Sequence, residues 1–164
     1  MKIAVYPGSF DPVTNGHVDI LERTSPMFDK IIVAVVHNVY KQALFTPEER
    51  VHLIKEATRH LNNIEVECFR GLLVDYLKKK QVNVIIRGLR SFSDYEYEST
   101  MAMMNKKLLP EANTIFITAD SNYMCVSSSG VKEAALLGGE VSSMVPAVVA
   151  TGLKEKLQQL KVDK

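Results

Sequence analysis

Residues 7–17 contain the residue types that could hold a phosphate and stabilise charge on it. A Gly-Ser turn opens this segment, and the spacing Thr14-x-Gly16-His17 closes it. The apolar run at 3–6 before it predicts a buried strand, and the residues after it predict an amphipathic helix. Backbone N–H groups, a hydroxyl and an imidazole would therefore surround one point at a helix N-terminus, where an anion is favoured. The chemistry that these residues indicate is phosphate binding.

His17 is predicted to act as a neutral hydrogen-bond donor. The dipole at the start of a helix disfavours the imidazolium form, so the imidazole would keep one N–H with which to bind a phosphoryl oxygen. Gly16 is unusual so early in a helix, because glycine lowers helix stability. Close approach of a ligand to the backbone is our explanation for it. Taken alone, His17 could be a histidine packed in the core, and Gly8-Ser9 could be an ordinary turn.

Basic and hydroxyl side chains also follow the other predicted strands. In an open parallel sheet the carboxyl ends of the strands form one edge, and ligands bind there. Lys41, Arg87 and Arg90 would bring positive charge to this edge, and arginine suits fork-like phosphate recognition. Surface ion pairs for both arginines and a solvated Lys41 are the alternatives. The serines at 127–129 either cap a helix or present hydroxyl and N–H groups to phosphates, and the sequence favours neither.

Strand-like and helix-like segments alternate along the whole chain. The predicted fold class is α/β, a single Rossmann-like, doubly wound domain over residues 1–164 with a five-stranded parallel sheet and helices on both faces. The expected strand order is 3-2-1-4-5. Strands are predicted at 3–6, 31–36, 64–68, 82–86 and 114–118, and helices at 16–27, 46–61, 72–80, 94–109, 128–137 and 146–160. Arg87 would then directly follow the fourth strand.

The predicted helix at 94–109 carries more apolar surface than one face of a sheet would cover. Tyr95 and Tyr97 lie near its start, and Met101, Met103 and Met104 near its middle. Packing is the expected role of the methionines. A contact with another subunit on this helix is our hypothesis.

Composition and motifs argue against several classes of function. The formal net charge is +1, from 20 basic and 19 acidic residues, which gives no electrostatic footprint for bulk nucleic-acid binding. The chain has neither a P-loop nor a GxGxxG fingerprint. Cys68 and Cys125 lack metal-ligand spacing and are predicted to be reduced thiols. With no run long enough to span a membrane and no recognisable signal peptide, a cytoplasmic location is predicted.

Signature motifs occur at several places along the chain. The spacing Thr14-x-Gly16-His17 matches the T/H-x-G-H signature of the α/β nucleotidylyltransferases, a superfamily with several substrates. Further segments make the resemblance specific. They are F-T-P-E-E-R at 45–50, I-R-G-L-R at 86–90 with D-Y-E-Y-E at 94–98, and V-S-S-S at 126–129 with V-K-E at 131–133. On these segments the chain resembles the bacterial phosphopantetheine adenylyltransferases over essentially its whole length. Gly130 departs from the family, whose members often have a larger residue in this region.

The resemblance implies a reaction, partners and a cofactor. Members of that family join ATP to 4′-phosphopantetheine and give dephospho-coenzyme A and pyrophosphate, the penultimate step of coenzyme A synthesis. They are typically hexameric, respond to feedback by coenzyme A and use Mg²⁺, which is expected here through nucleotide phosphates and not at a metal site of the protein. A nucleotidylyltransferase with a different phosphate acceptor and a non-catalytic nucleotide sensor are the alternatives.

The resemblance also implies roles for individual residues. His17 would stabilise the transition state, with Lys41 and Arg87 as the other catalytic residues. The residues expected to contact 4′-phosphopantetheine are Ser9, Lys41, Leu73 and Arg87. Those expected to bind ATP are Ser9, Phe10, His17, Gly88, Leu89, Arg90, Glu98, Tyr123, Met124, Cys125, Val126, Ser127, Ser128 and Ser129. Many members have threonine in place of Ser9 and some have tryptophan in place of Tyr123, which leaves the hydroxyl and the aromatic surface in place.

Overall fold

Five parallel strands form the sheet, and their order is the predicted 3-2-1-4-5. The structure, a computed structural model, describes residues 1–37 and 42–162. The strands are β1 (Ile3–Gly8), β2 (Lys30–Val36), β3 (Ile64–Phe69), β4 (Val84–Leu89) and β5 (Asn113–Thr118). Every neighbouring pair runs parallel. The prediction of a single doubly wound sheet is therefore confirmed.

Helices cover both faces of the sheet, as predicted. In the part of the chain that the structure describes they are α1 (Asn15–Thr24), α2 (Pro47–Ala57), α3 (Leu73–Lys80), α4 (Phe92–Leu108), α5 (Ser128–Leu136) and α6 (Ala147–Val162). Leu21 of α1, Ile54 of α2, Val131 of α5 and Leu153 of α6 are buried in the core on one face. Leu77 of α3 lies in the core on the other. None of the helices described is both long and apolar enough to cross a membrane.

The central strands β1 and β4 lie side by side at the point where the winding of the chain reverses. Their register pairs Val5 with Ile85. Ligands of open α/β sheets bind beyond the carboxyl ends of strands at such a reversal. The turn after β1 and the R-G-L-R segment at the end of β4 meet at this edge, although 80 residues separate Pro7 from Arg87.

Strand β4 begins and ends later than the sequence predicts. The prediction was 82–86, whereas the strand spans Val84–Leu89. Its start is delayed because Gln81 adopts a left-handed φ of 56° and Val82 donates its N–H to the carbonyl of Leu77 at 3.1 Å, which completes the end of α3. Its end is delayed because the strand stays paired with β5 throughout. The prediction that Arg87 follows the strand was wrong, since this arginine and the next two residues belong to it.

Several other boundaries differ by a few residues. Strand β1 continues beyond residue 6 to Gly8. Helix α1 ends at Thr24 and not at 27, because Ser25–Met27 form a 3₁₀ turn around a proline. Helix α2 ends at 57 and not at 61. Helix α4 begins at 92 and not at 94, since the hydroxyl of Ser91 accepts the N–H of Asp94 at 3.2 Å.

Helix α4 leaves much apolar surface uncovered, as its sequence predicts. None of its residues is fully buried. We call its exposed apolar residues the α4 surface, which consists of Phe92, Tyr95, Tyr97, Met101, Met103, Met104 and Leu108.

Candidate active site

A pocket of about 300 Å³ opens at the carboxyl ends of β1 and β4. Most of the predicted site residues line it, namely Ser9, Phe10, His17, Arg87, Gly88, Arg90, Glu98, Tyr123, Val126, Ser127, Ser128 and Ser129. Thr14 and Asp94 line it too, and the sequence interpretation did not include them among the binding residues. A volume of this size suits a small-molecule site.

Four predicted site residues that the structure describes are not part of this pocket lining. Leu73 packs against the apolar core on the α3 face of the sheet. The side chains of Met124 and Cys125 are exposed, and Leu89 is the last residue of β4. Lys41 lies outside the described residues. The ligand contacts predicted for these five residues stay predictions.

The turn after β1 is built around the ring of Phe10. This buried residue has a φ of 47°, in the left-handed region that side chains rarely adopt. Its ring meets Tyr6 and His17 edge to face, with centroid separations of 5.4 and 5.0 Å. A Cβ on Gly8 would lie 2.9 Å from the same ring, so glycine makes room for it. The turn therefore holds the imidazole of His17 against an aromatic wall.

Gly16 packs closely against a neighbouring turn and also lines the pocket. A Cβ at this position would lie 3.3 Å from the Cβ of Tyr123, in the 3₁₀ turn Ser121–Tyr123. Packing of α1 against this turn therefore favours a glycine here. The close approach of a ligand to the same backbone stays a prediction.

His17 is anchored through one of its two ring nitrogens. The backbone N–H of Thr14 donates to Nδ1 at 3.0 Å, and the Thr14 hydroxyl lies 2.9 Å from the same atom. Thr14 is the N-cap of α1 and is buried. The pair forms a capping box in which histidine takes the place of the usual glutamate or glutamine. The spacing Thr-x-x-His was the signal in the sequence that could have revealed this contact.

The imidazole is neutral at physiological pH, as predicted. Burial first, and then the positive charges of Arg90 and Arg87, lower the pKa of His17 to about 4. The predicted cause was the helix dipole, whereas desolvation and the two guanidinium groups account for the shift. A neutral imidazole can donate one hydrogen bond and remain uncharged beside two cations.

Arg87 is fixed by a carboxylate of α4. Its Nε donates to Oε2 of Glu98 at 2.7 Å, and its Nη2 donates to the other carboxylate oxygen. Its Nη1 donates to the carbonyl of Pro7 in β1. Burial lowers the pKa of Arg87, and the bonds to Glu98 more than offset this, so the side chain stays charged. The alternative prediction, that Arg87 forms an ion pair, is confirmed. The side chain of Arg87 also lines the pocket.

Arg90 is held by a second carboxylate of the same helix. Its backbone N–H and its Nε each donate to Oδ2 of Asp94 at 3.0 Å. Its Nη1 donates to the carbonyl of Val126 at 3.2 Å, which connects β4 to the segment before α5. Both arginines are therefore oriented before any ligand binds, a condition for effective electrostatic stabilisation.

The serines at the start of α5 have separate structural roles. Ser127 is the N-cap, and its hydroxyl accepts the N–H of Gly130 at 3.0 Å. Ser128 donates its hydroxyl to the carbonyl of Pro12 at 2.7 Å, which joins α5 to the turn after β1. The capping interpretation is confirmed for Ser127. All three serines nevertheless line the pocket, so phosphate binding stays a prediction.

A buried carboxylate, missed by the sequence interpretation, ties three segments together beside the pocket. Asp11 accepts the N–H groups of Leu44 and Phe45 at 3.0 and 2.9 Å, and Nζ of Lys132 at 2.7 Å. Burial alone would raise the pKa of Asp11, but these hydrogen bonds lower it below its ordinary value. The turn after β1 is thereby fastened to the segment before α2 and to α5.

Arg50 is a second buried charge next to the pocket that the sequence interpretation did not single out. Its Nη1 donates to the carbonyl of Ser9 at 2.8 Å and to that of Val36 at 3.3 Å. Its guanidinium thus fixes the end of β2 to the turn after β1.

The sequence matches a known family and close relatives. The family described as cytidylyltransferase-like matches residues 5–134. A phosphopantetheine adenylyltransferase of Syntrophomonas wolfei is 66% identical over 157 residues, which cover 96% of this chain and 98% of the relative. Another, from Carboxydothermus hydrogenoformans, is 52% identical over 159 residues, which cover 97% of this chain and 98% of the relative.

Solved structures share the fold at low sequence identity. A bifunctional NMN adenylyltransferase/ADP ribose pyrophosphatase from Francisella tularensis superposes with a TM-score of 0.75 at 15% identity, covering 96% of this chain and 50% of that one. The same enzyme complexed with AMP and a Mn ion gives a TM-score of 0.70 at 16% identity, covering 98% and 52%. These likenesses concern the fold alone.

Proposed function

This chain belongs to the cytidylyltransferase-like family and, within it, to the phosphopantetheine adenylyltransferases, and we propose that it transfers the adenylyl group of ATP to 4′-phosphopantetheine. The products are dephospho-coenzyme A and pyrophosphate, which places the reaction in coenzyme A synthesis. The observation that carries this proposal is the pocket between β1 and β4, where a neutral His17 lies beside Arg87 and Arg90.

The reaction is an in-line displacement at the α-phosphorus of ATP. An oxygen of the 4′-phosphopantetheine phosphate forms the new P–O bond, and the bond to the oxygen that leaves with pyrophosphate breaks. The attacking phosphate is largely ionised at neutral pH, since its second pKa is about 6, so no strong general base is needed. Catalysis then consists of positioning the reactants and stabilising charge.

His17 is proposed to stabilise the transition state. Its neutral N–H would donate to a non-bridging oxygen of the α-phosphate, where charge builds during displacement. The aromatic wall of Phe10 and the anchor at Thr14 keep the ring in place for this contact. Because the imidazole is uncharged, it adds no charge repulsion with the two arginines beside it.

Arg87 and Arg90 are proposed to bind different phosphates. Arg87 and, as a prediction, Lys41 would hold the attacking phosphate. Arg90 and the N–H and hydroxyl groups at the start of α5 would hold the β- and γ-phosphates that leave as pyrophosphate. The separate anchors of Arg87 on Glu98 and of Arg90 on Asp94 support two distinct positions for anions.

Mg²⁺ is proposed to be held by the phosphates of ATP. Within residues 1–37 and 42–162, no three His, Cys, Asp or Glu side chains converge on one point. The carboxylates of Asp94 and Glu98, which line the pocket, are bonded to arginines. An ion that keeps several waters and binds through substrate phosphates suits such surroundings. When bound, Mg²⁺ would supply positive charge to the triphosphate.

Assembly, regulation and location follow from the family as further proposals. A homohexamer would bury the α4 surface, which is otherwise a large apolar area in water. Coenzyme A contains the skeleton of the product, so feedback inhibition would act through the same pocket. The location proposed is the cytoplasm.

Pyrophosphate release tests the proposed function directly. The protein is incubated with ATP and Mg²⁺, with and without 4′-phosphopantetheine, and the product is identified by mass spectrometry. Release that requires both substrates and gives dephospho-coenzyme A supports the proposal. Turnover with another acceptor from a panel of phosphorylated alcohols would favour a different nucleotidylyltransferase. ATP binding without any turnover would favour a nucleotide sensor.

A further inference from the structure

We propose that Thr14 is a positioning residue, which donates two hydrogen bonds to Nδ1 of His17 and thereby keeps the imidazole neutral with its proton on Nε2. The geometry that supports this is local and specific. The backbone N–H of Thr14 lies 3.0 Å from Nδ1, and its hydroxyl oxygen lies 2.9 Å from it. Thr14 is only 1% exposed, so water does not replace these contacts easily.

The direction of the first hydrogen bond determines the tautomer. A backbone N–H only donates, so Nδ1 must accept and has no proton of its own. The Thr14 hydroxyl, which can rotate, then donates to the same nitrogen. In a neutral imidazole the proton must lie on the other nitrogen, Nε2. A proton on Nδ1 would place two N–H groups against each other and would remove the bond from the backbone, so that only the rotatable hydroxyl could still pair with this nitrogen, as an acceptor.

The same contacts oppose the doubly protonated ring. An imidazolium has protons on both nitrogens, so it too would lose the bonds from Thr14. The cations Arg87 and Arg90 act in the same direction and lower the pKa of His17. The other ionisable groups that line the pocket are the carboxyl groups of Asp94 and Glu98 and the phenols of Tyr6 and Tyr123. Each carboxylate is bonded to an arginine, so neither is free to favour the imidazolium.

The functional consequence rests on the proposed function. Nε2 is the only ring nitrogen left to donate to a phosphoryl oxygen in the pocket. If Nδ1 carried the proton, Nε2 would present a lone pair to the phosphate oxygen and would repel it. The Thr-x-x-His spacing therefore has two effects: it caps the helix, and it determines which ring nitrogen of His17 carries the proton.

The first test reads the tautomer without any substrate. The protein is labelled with ¹⁵N at histidine, and long-range ¹H–¹⁵N correlations report which ring nitrogen carries the proton. The signals of His17 are assigned as those lost in His17→Gln. We expect Nε2 to be protonated and Nδ1 unprotonated from neutral pH down to about pH 5, above the pKa of about 4. A proton on Nδ1, or an imidazolium at neutral pH, would overturn the proposal.

The second test removes the hydroxyl at constant side-chain shape. In Thr14→Val, one of the two donors to Nδ1 is lost, so the population protonated at Nδ1 should increase. The value of kcat should fall about fivefold to tenfold, the effect of one lost hydrogen bond, and both KM values should stay within about twofold. Thr14→Ser keeps both donors and should retain the tautomer and most of kcat.

Thr24→Val is the matched control for general effects of removing a buried hydroxyl. Thr24 lies on the same helix, is 1% exposed and does not line the pocket. It donates its hydroxyl to the backbone carbonyl of Ile20 at 2.6 Å. It should lose stability without a change in the His17 tautomer. An unchanged spectrum and kcat in Thr14→Val, or an equal loss of kcat in Thr24→Val, would overturn the proposal. If the unaltered protein releases no pyrophosphate, the proposed function fails, whereas the spectra still decide the role of Thr14.

Discussion

His17 differs from an exposed histidine because of its immediate surroundings. Its ring packs against Phe10, and its Nδ1 is bonded to Thr14. Burial, and after it the charges of two guanidinium groups, lower the pKa of the imidazole to about 4. An unperturbed histidine titrates near 6.5. The imidazole of His17 is therefore a neutral hydrogen-bond donor near pH 6.5, where an unperturbed histidine changes charge.

Removal of the imidazole should mainly affect the chemical step. In His17→Ala, kcat should fall about 100-fold or more, as for other donors to a transition-state oxyanion, and KM should change by less than about threefold. Initial rates at varied ATP and 4′-phosphopantetheine measure both parameters. A weaker binding of both substrates at unchanged kcat would contradict the proposed role.

The lowered pKa of His17 should make folding sensitive to acid. Since the folded pKa of about 4 lies below the ordinary 6.5, the unfolded chain binds an extra proton between these values. The free energy of unfolding should therefore fall as the pH drops from about 6.5 to about 4. Urea denaturation at several pH values should give a shallower pH dependence for His17→Gln than for the unaltered protein. Parallel curves for the two proteins would contradict this assignment.

Arg87 should matter for the geometry of its fork and not only for its charge. Arg87→Lys keeps a cation near Glu98 but loses the planar donor set, so KM for 4′-phosphopantetheine should rise about tenfold. The matched control is Arg59→Lys, because the side chain of Arg59 is 79% exposed. Steady-state kinetics with ATP held at saturation measures the effect. An unchanged KM for 4′-phosphopantetheine would argue that Arg87 binds another group.

Residue roles that depend on local spacing were predictable, and those that depend on distant partners were not. The neutral state of His17 was predicted from its place in the first turn of a helix, and it is confirmed, although burial and the two arginines cause it. The ion pair between Arg87 and Glu98 depends on how α4 lies across β4, which no periodicity reveals. The left-handed Phe10 was missed for a similar reason, because tertiary packing of its ring imposes the backbone angle.

At the scale of elements, the approach of α1 to β4 determines the shape of the pocket. A Cβ on Gly88 would lie 2.3 Å from Cδ1 of Ile20. Helix α1 carries His17, and β4 carries Arg87, so this contact sets the distance between the proposed catalytic groups. Glycine at position 88 lets the helix lie close to the strand.

Gly88→Ala should destabilise the protein by overpacking this contact. We expect a loss of about 1–3 kcal/mol in the free energy of unfolding, measured by urea denaturation. Ile20→Val removes the clashing methyl group and alone costs about 1 kcal/mol. The double variant should be more stable than the sum of the two single effects predicts, because the clash is absent. Additive losses would show that the methyl group is not the obstacle.

The two ends of β4 show which features of an element the sequence predicts and which it does not. The apolar residues at 82–86 mark a strand correctly, but they do not show that Val82 completes the preceding helix. Nor do they show that pairing with β5 extends the strand through a charged residue and a glycine. Hydrogen bonds to neighbouring elements decide both ends.

At the scale of the whole molecule, the strand order was predictable because the chain follows general rules. Alternating strands and helices with right-handed crossovers leave few arrangements for a five-stranded parallel sheet. The order expected for a Rossmann-like domain is 3-2-1-4-5, which is the one observed, although periodicity alone does not specify it. The same topology brings the first and fourth strands together at the pocket.

Assembly should depend on the α4 surface. Sedimentation of the unaltered protein should give a species several times larger than the chain mass of 18.4 kDa. Met103 is 66% exposed on α4, and Met103→Glu should yield smaller species, because burial of a charge in an apolar interface is unfavourable. Met27→Glu is the matched control, since Met27 is 56% exposed on a 3₁₀ turn elsewhere. A monomeric unaltered protein at micromolar concentration would contradict the proposed hexamer.

The carboxylates that hold the two arginines make binding through the same N–H groups an exchange of anions. A phosphate that takes the Nε and Nη2 donors of Arg87 must displace Glu98, and one that takes the same donors of Arg90 must displace Asp94, whereas the second N–H of each Nη does not take part in these bonds. The affinity gained is then the difference between two charge-assisted contacts, not the full strength of one. Added charge on a ligand will therefore improve its binding little at these positions. A ligand that leaves both carboxylates in place and fills the space beside them avoids this competition.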